Sequence, residues 1–267
     1  MIQRDDAGLY LTLHDRGQLI VRTMFKIPAL LGVLTVLAAA EPPYSGTIFI
    51  DPDIITASDP TTYLSLKVAG RGNRTMFDRR TNSFNKVKAR LFNVRFTDSS
   101  RVIEFQVNPE FGPTKARRLA AKYAKVIGRL PRCLRRDVDT VSIHDGVQPF
   151  GGGNRNLLIH TGQSANYERD GILEETMVHE ASHTSLDADH ANAKGWVAAQ
   201  NADPEFISTY ARDNPQREDV AETWLLWFAV RHRAERIDVT VADTVKAAIP
   251  NRLKYFDSRK FDLSPAE

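Results

Sequence analysis

Residues 179–183 read His-Glu-Ala-Ser-His inside a stretch whose apolar residues repeat with helical spacing. On an α-helix, positions i and i+4 lie on one face, one turn apart, so both imidazoles project to the same side. Two imidazoles in that relation can share one zinc ion, and Glu180 beside the first can act as a general base. An apolar internal helix gives no packing reason for these polar residues, so the sequence predicts a metal site on it.

A third ligand is needed, because the five-residue pattern alone arises by chance in roughly one chain in a hundred. Two candidates follow closely, Asp189 and His190. In the extended zinc-peptidase pattern, a ligand at 189 goes with a glycine at 186, and this chain has Leu186. His190 would lie about 10 Å further along a continuous helix than His183, too far to reach the same metal.

The other candidates are two acids of a later stretch, 215–234, predicted to be a helix with Asn214 as N-cap and Pro215 in its first turn. Glu218 and Glu222 stand four apart on one face of it. The rest of this helix is strongly apolar, and a buried carboxylate without a partner is costly, so a metal ion would stabilise either acid. Alternatively, both acids only complement the helix dipole.

Tyr210, followed by the segment Glu218-Asp219-Val220-Ala221-Glu222, resembles the catalytic domain of the anthrax lethal factor family of zinc metallopeptidases. The proline-proline endopeptidases belong to the same group. The resemblance covers residues 170–230. The spacing from the tyrosine to the first glutamate is about one residue longer here, and Ser182 stands where the family has a glycine.

The resemblance implies roles for seven residues. The zinc ligands would be His179, His183 and Glu218, with Glu180 as general base, Tyr210 as oxyanion donor, and Glu222 and Asp187 orienting the ligands. The implied activity is that of a secreted zinc-dependent endopeptidase acting on a protein or peptide substrate. The alternative is a secreted, non-catalytic binding or adhesion module with a structural or degenerate zinc site. Structural zinc sites usually have four protein ligands, so three ligands and a base favour catalysis.

The order of elements predicts an α+β fold: a zincin-like catalytic domain over 111–267, preceded by a β-rich segment over 41–110. Short alternating runs between 61 and 107 predict antiparallel strands, with turns at Gly70–Asn73 and Thr97–Ser100. An additional strand is predicted at Thr47–Ile50. Further elements are a helix at 114–130, strands at 138–144 and 157–160, and helices at 170–187, 190–200 and 215–234.

Two further predictions concern the sheet's last part. Residues 145–155, with three consecutive glycines, are predicted to form a loop without the G-K-[ST] of a phosphate-binding motif. By analogy with zinc peptidases, the strand at 157–160 is predicted to be the edge strand that pairs with an extended substrate.

The N-terminal residues 1–40 have the pattern of a secretory signal peptide. An uncharged apolar run over 27–40 follows Arg22 and Lys26 and ends in three alanines. At 14 residues this run is too short to cross a bilayer, since a span needs about 20. Translation from Met24 would shorten the leader. The sequence therefore predicts a secreted or periplasmic chain, without stable membrane insertion after cleavage of the leader.

Composition excludes several other classes. A hydrophobic fraction of 42% excludes low-complexity disorder, and the single cysteine, Cys133, permits no internal disulfide. The net charge of +3 is too small to indicate a nucleic-acid partner. The chain is predicted to be a monomer.

Overall fold

The computed structural model describes residues 41–50 and 53–267. The predicted signal peptide, with its alternative start, lies outside the described residues. Six strands form one mixed sheet in the order β1-β2-β3-β4-β6-β5. The strands are β1 (Tyr63–Asp78), β2 (Ser83–Phe96), β3 (Ser99–Val107), β4 (Thr140–His144), β5 (Gly151–Gly153) and β6 (Asn156–His160).

The alternating region forms the antiparallel half of the sheet, as predicted: β1 pairs with β2, and β2 with β3. The predicted turn at Gly70–Asn73 is wrong, because these residues stay within β1. The register shifts there between Val68 and Arg71, and Gly70 takes a φ of 86°, so the glycine accommodates a bulge. The chain reverses instead at residues 79–82.

The second half of the sheet is parallel except at its edge. β4 pairs in parallel with β3 on one side and with β6 on the other, and β5 is antiparallel to β6. Two predictions are corrected here. The glycine-rich segment contains a strand, Gly151–Gly153, and that strand forms the edge, whereas residues 157–160 lie inside the sheet between two neighbours.

Helices cover one face of the sheet. Their bounds are α1 (Pro113–Ile127), α2 (Arg132–Arg135), α3 (Thr161–Arg169), α4 (Leu173–Ser185), α5 (Asp187–His190), α6 (Lys194–Ala202), α7 (Thr209–Asp213), α8 (Asp219–His232), a 3-10 helix (Ala234–Arg236), α9 (Val239–Ala248) and α10 (Pro250–Asp257). The α+β class is therefore confirmed. Among the described residues, none of the helices combines the length and apolarity that crossing a bilayer requires.

The main core lies between the sheet and helices α1, α4 and α8. Val141 and Ile143 of β4 and Leu157 and Ile159 of β6 are fully buried in it. Because strand side chains alternate between faces, these four share one face. The buried face of the sheet thus packs against the side of the core on which α4 lies.

The segment before β1 is not a strand at Thr47–Ile50, contrary to the prediction. Ile50 and Ile54 donate their backbone N–H groups to the buried carboxylate of Glu175 on α4, at 2.9 and 3.1 Å. A side chain therefore satisfies backbone groups that a β ladder would otherwise pair. This contact ties the segment to α4.

Candidate metal centre

Helix α4 carries both histidines of the sequence motif. His179 and His183 are 6% and 5% exposed, and their rings meet edge to face with centroids 4.7 Å apart. The four-residue spacing on one helical face produces this contact, as expected. The Nε2 atoms of the two rings lie 3.1 Å apart.

Glu218 reaches the histidines from the start of α8. This helix begins at Asp219, four residues later than Pro215, so the prediction of Asn214 as N-cap is wrong. Residues 214–217 form a separate turn, in which the carbonyl of Asn214 accepts the N–H groups of Arg217 and Glu218 at 2.9 and 2.8 Å. The turn leaves Glu218 at the N-cap position, facing α4.

The carboxylate of Glu218 closes a triangle with the two imidazoles. Its Oε2 lies 3.3 Å from Nε2 of His179 and 3.2 Å from Nε2 of His183. We call His179, His183 and Glu218 the His–His–Glu cluster; within the described part of the chain it is the group of acids, cysteines and histidines that could hold a metal ion.

The spacing of these atoms fits a bound cation. A tetrahedral ion with ligands at 2.0–2.1 Å separates neighbouring ligand atoms by about 3.3–3.4 Å. The three observed separations, 3.1, 3.2 and 3.3 Å, are close to that value. Oε2 of Glu218 is buried and accepts no hydrogen bond from the described residues, as expected for an atom that binds a metal.

Electrostatics within the cluster favour a charged carboxylate. Burial alone would raise the pKa of Glu218, but the two histidines close to its carboxylate, and their positive charge, hold it far below its usual range. Burial would lower the pKa of His183, yet Asp187 and Glu218 raise it to about 9. A negative carboxylate in a buried position needs a positive partner, either a proton on imidazole or a metal.

Asp187 supports the second histidine. Its Oδ2 lies 2.9 Å from Nδ1 of His183. An acceptor on Nδ1 fixes the imidazole tautomer that presents Nε2 to a metal. On His179, Nδ1 is buried and has no hydrogen-bond partner among the described residues.

Glu180 is half-buried beside the cluster, and its carboxylate makes no hydrogen bond or ion pair within the described ranges. Its negative charge nevertheless contributes to raising the pKa of both His179 and His183. The edge strand passes directly over this residue: a Cβ on Gly152 would lie 1.8 Å from the backbone oxygen of Glu180. Only glycine permits β5 to approach α4 so closely.

Glu222 contacts hydroxyl groups instead of a histidine. It accepts hydrogen bonds from Ser208 and, at 3.1 Å, from Thr47, and burial raises its pKa to about 7. The carboxylate thus joins α8 to the N-terminal segment and to the N-cap of α7. The sequence contained no signal for this pairing, because Thr47 and Glu222 are far apart in the chain.

Tyr210 lies in the first turn of α7, which packs against α8. Its backbone N–H donates to the carbonyl of Ser45 at 3.2 Å, and its carbonyl accepts from Asn214 at 3.0 Å. The N-terminal segment and the turn before α8 therefore hold its backbone from both sides. The role of its phenol as an oxyanion donor remains a prediction.

The two nearby alternatives for the third ligand lie away from the His–His–Glu cluster. Asp189 is exposed and forms an ion pair with Arg136 at 2.6 Å. His190 presents Nδ1 to the hydroxyl of Tyr255 at 2.8 Å. Their contacts remove both from the cluster, as the missing glycine at 186 and the helical distance suggested.

Comparisons with known proteins do not assign this chain to a family or a function. The chain matches no protein-family model, no curated protein and no solved structure. The chemistry of this protein must therefore be argued from the geometry of its own residues.

Proposed function

We propose that this chain is a zinc-dependent endopeptidase with a zincin-like fold. The convergence of the His–His–Glu cluster, with Glu180 directly after its first histidine, carries the proposal. Three ligands from the chain leave one tetrahedral position for water or substrate, which is typical of catalytic zinc sites. Two nitrogen ligands and one carboxylate also suit zinc better than magnesium or calcium.

The residues of the chain divide the reaction between them. Zinc, when bound, supplies Lewis-acid polarisation of the scissile carbonyl. Glu180 takes a proton from the attacking water and delivers it to the leaving amine. Its carboxylate is suited to this task, since it is half-buried, adjacent to the cluster and not engaged by another described side chain. Tyr210 donates a hydrogen bond to the oxyanion.

A peptide substrate fits the surroundings of the cluster. β5 is the edge of the sheet and lies against α4 at Glu180, where Gly152 permits close contact. An extended peptide can add to such an edge through backbone hydrogen bonds. Pairing with β5 would bring the peptide backbone alongside the helix that carries the histidines.

The site of action is proposed to be outside the cytoplasm, in the periplasm or the exterior. This part of the proposal rests on the signal-like sequence of residues 1–40. A substrate on that side of the membrane would be a secreted or envelope protein.

Replacement of the base tests the proposal. In zinc-loaded protein, Glu180→Gln should retain the metal and lose roughly 10²–10⁴-fold in kcat/KM on a degenerate peptide library read by mass spectrometry. The matched control is Asp189→Asn, which removes a neighbouring acid that contacts Arg136. It should retain both metal and activity.

Two results would overturn the proposal. One is the absence of cleavage by zinc-loaded wild type across the library. The other is cleavage by Glu180→Gln at the wild-type rate. Absence of cleavage would support the non-catalytic binding module instead, whereas wild-type cleavage by Glu180→Gln would show that Glu180 is not the general base and that the proposed mechanism is wrong.

A further inference from the structure

Arg217 is an exposed cation immediately before the carboxylate of the His–His–Glu cluster. Its side chain is 54% exposed, yet one guanidinium nitrogen donates to the backbone oxygen of Gly152 on the edge strand at 3.1 Å. Other nitrogens face Glu218 Oε1 at 3.8 Å and Asp187 Oδ2 at 4.0 Å. These two distances exceed a hydrogen bond, so most of the five donors of the guanidinium remain open.

The guanidinium of Arg217 borders a cavity of about 570 Å³ that reaches the cluster, because His183 and Asp187 also line it. Two other arginines line this cavity, Arg136 and Arg155. Arg136 pairs with Asp189 at 2.6 Å, and Arg155 pairs with Asp137 at 3.2 Å. Within the described part of this cavity, Arg217 is the cation that has no carboxylate at hydrogen-bond distance.

The carboxylates that face Arg217 are engaged elsewhere. Asp187 accepts from His183, and Glu218 belongs to the cluster that we propose holds zinc. A guanidinium presents its donors as a planar fork that matches a carboxylate in two parallel hydrogen bonds. Its open donors therefore suit a carboxylate that comes from outside the chain.

We infer that Arg217 binds a carboxylate of the substrate and makes acidic peptides the preferred class. This inference rests on the proposed function. Because Arg217 is anchored to β5, a peptide paired with this strand would carry the recognised group close to the scissile bond. The carboxylate comes from an aspartate or glutamate side chain beside that bond or from a free C-terminus.

A different role for Arg217 would be to neutralise Glu218 and Asp187. In that case its removal would weaken metal binding and leave peptide selectivity unchanged. The two roles therefore differ in what they predict for the Arg217→Met variant.

Matched peptides separate these roles. Zinc-loaded protein is assayed on two sets of peptides. In the first set the C-terminus is amidated and the residue beside the cleaved bond is Glu, Gln or Lys. In the second set the Gln peptide is compared with a free and with an amidated C-terminus. Wild type should prefer either the Glu peptide or the free terminus by on the order of tenfold. Arg217→Met should lose this preference and keep its zinc, whereas Arg217→Glu should prefer Lys. Arg136→Met removes a cation that is already paired and should retain the wild-type preference.

A binding measurement gives a second readout without turnover. Succinic monohydroxamate anchors on the metal and offers a carboxylate, whereas its primary amide analogue offers none. The acid should bind zinc-loaded wild type roughly tenfold more tightly than the amide, and Arg217→Met should bind both alike.

The outcomes distinguish this inference from the function on which it rests. Cleavage by wild type without preference for a carboxylate, together with equal hydroxamate affinities, overturns the inference and leaves the peptidase standing. An unchanged preference in Arg217→Met overturns it as well. Absence of any cleavage overturns the peptidase, and the hydroxamate pair then reports alone on whether Arg217 binds a carboxylate.

Discussion

Two buried clusters of polar residues depend on consecutive residues at the start of α8. Glu218 belongs to the His–His–Glu cluster, and Asp219 belongs to the Arg252 cluster, formed by Arg252, Asp203 and Asp219. In the Arg252 cluster, Nε of Arg252 lies 3.0 Å from Asp219 and Nη1 lies 3.3 Å from Asp203, with all three side chains fully buried. The guanidinium also stacks on Phe206, 4.5 Å from the ring centroid.

The difference lies in where the positive charge comes from. The Arg252 cluster has its own permanent cation, which offsets part of the cost of burying Asp203 and Asp219, although burial still raises the pKa of both carboxyl groups. The His–His–Glu cluster has two titratable rings around its carboxylate, so its cation is either a proton or a metal. Arg252 therefore supplies the cation of its cluster from within the chain, whereas the converging ligand atoms of the His–His–Glu cluster can take a metal ion as theirs.

The largest expected effect on stability comes from removing the cation of the Arg252 cluster. Arg252→Met should lower the free energy of unfolding by about 3–5 kcal/mol, because it leaves two buried carboxylates without their cation. Denaturant unfolding measures this loss. The control is Arg132→Met, whose pair with Asp262 is half exposed and should contribute about 0–1 kcal/mol. Equal losses in both variants would remove the distinction between a buried and an exposed pair.

The next largest effect is on zinc affinity and concerns the contact between Asp187 and the ligand His183. Asp187→Ala should weaken zinc affinity by about 10–100-fold, because His183 loses the acceptor that fixes its ring. A competition titration against a chromophoric chelator measures the affinity. Asp189→Ala, which removes an acid bound to Arg136, should leave it unchanged. Unaltered affinity in Asp187→Ala would show that the ring needs no such support.

A buried imidazole outside both clusters sharpens the comparison. His144, at the end of β4, contacts Asn108 at 3.0 Å and stacks on His160, with Asp78 at 3.5 Å. Burial outweighs the nearby acid and lowers its pKa to about 4, opposite to the shift of His183. The carboxylates around each ring, Asp187 and Glu218 for His183 and the more distant Asp78 for His144, account for the difference.

The sign of the pH effect follows from that pKa. The unfolded chain protonates this histidine below about 6.5, whereas the folded chain resists until about 4, so stability falls as the pH drops through this window. Between pH 7 and pH 4, wild type should lose about 2–3 kcal/mol more unfolding free energy than His144→Gln. Parallel pH profiles for the two proteins would contradict this assignment.

The sequence correctly predicted those strands and helices whose hydrophobic pattern lies within a single segment of the chain. The alternation in β1–β3 and the helical spacing in α1 and α4 lie within single segments, so local pattern and final structure agree. β5 was missed because three glycines carry no alternation; it becomes a strand only through pairing with β6. α8 was predicted to start too early because Pro215, which suits the first turn of a helix, belongs to a separate turn here.

The residues of the candidate site also differ in whether a local sequence pattern or a contact between distant segments reveals them. His179, Glu180 and His183 were recognisable because their spacing is local. The apolar helix made both Glu218 and Glu222 candidate ligands, and only the family resemblance favoured Glu218. The contacts of Glu222 with Thr47 and Ser208, and those of Arg252 with Asp203 and Asp219, join distant parts of the chain. No pattern in one segment records such contacts, so they emerge only from the packed structure.

Metal stoichiometry of the purified protein tests the central claim most directly. After saturation with zinc and removal of the excess, wild type should hold about one ion per chain, and Glu218→Ala close to none. Glu222→Gln changes the other acid of the same helical face, which contacts Thr47 and Ser208, and should still hold about one ion. A folded wild type that binds no zinc, or a Glu218→Ala variant that binds as much as wild type, would contradict the account.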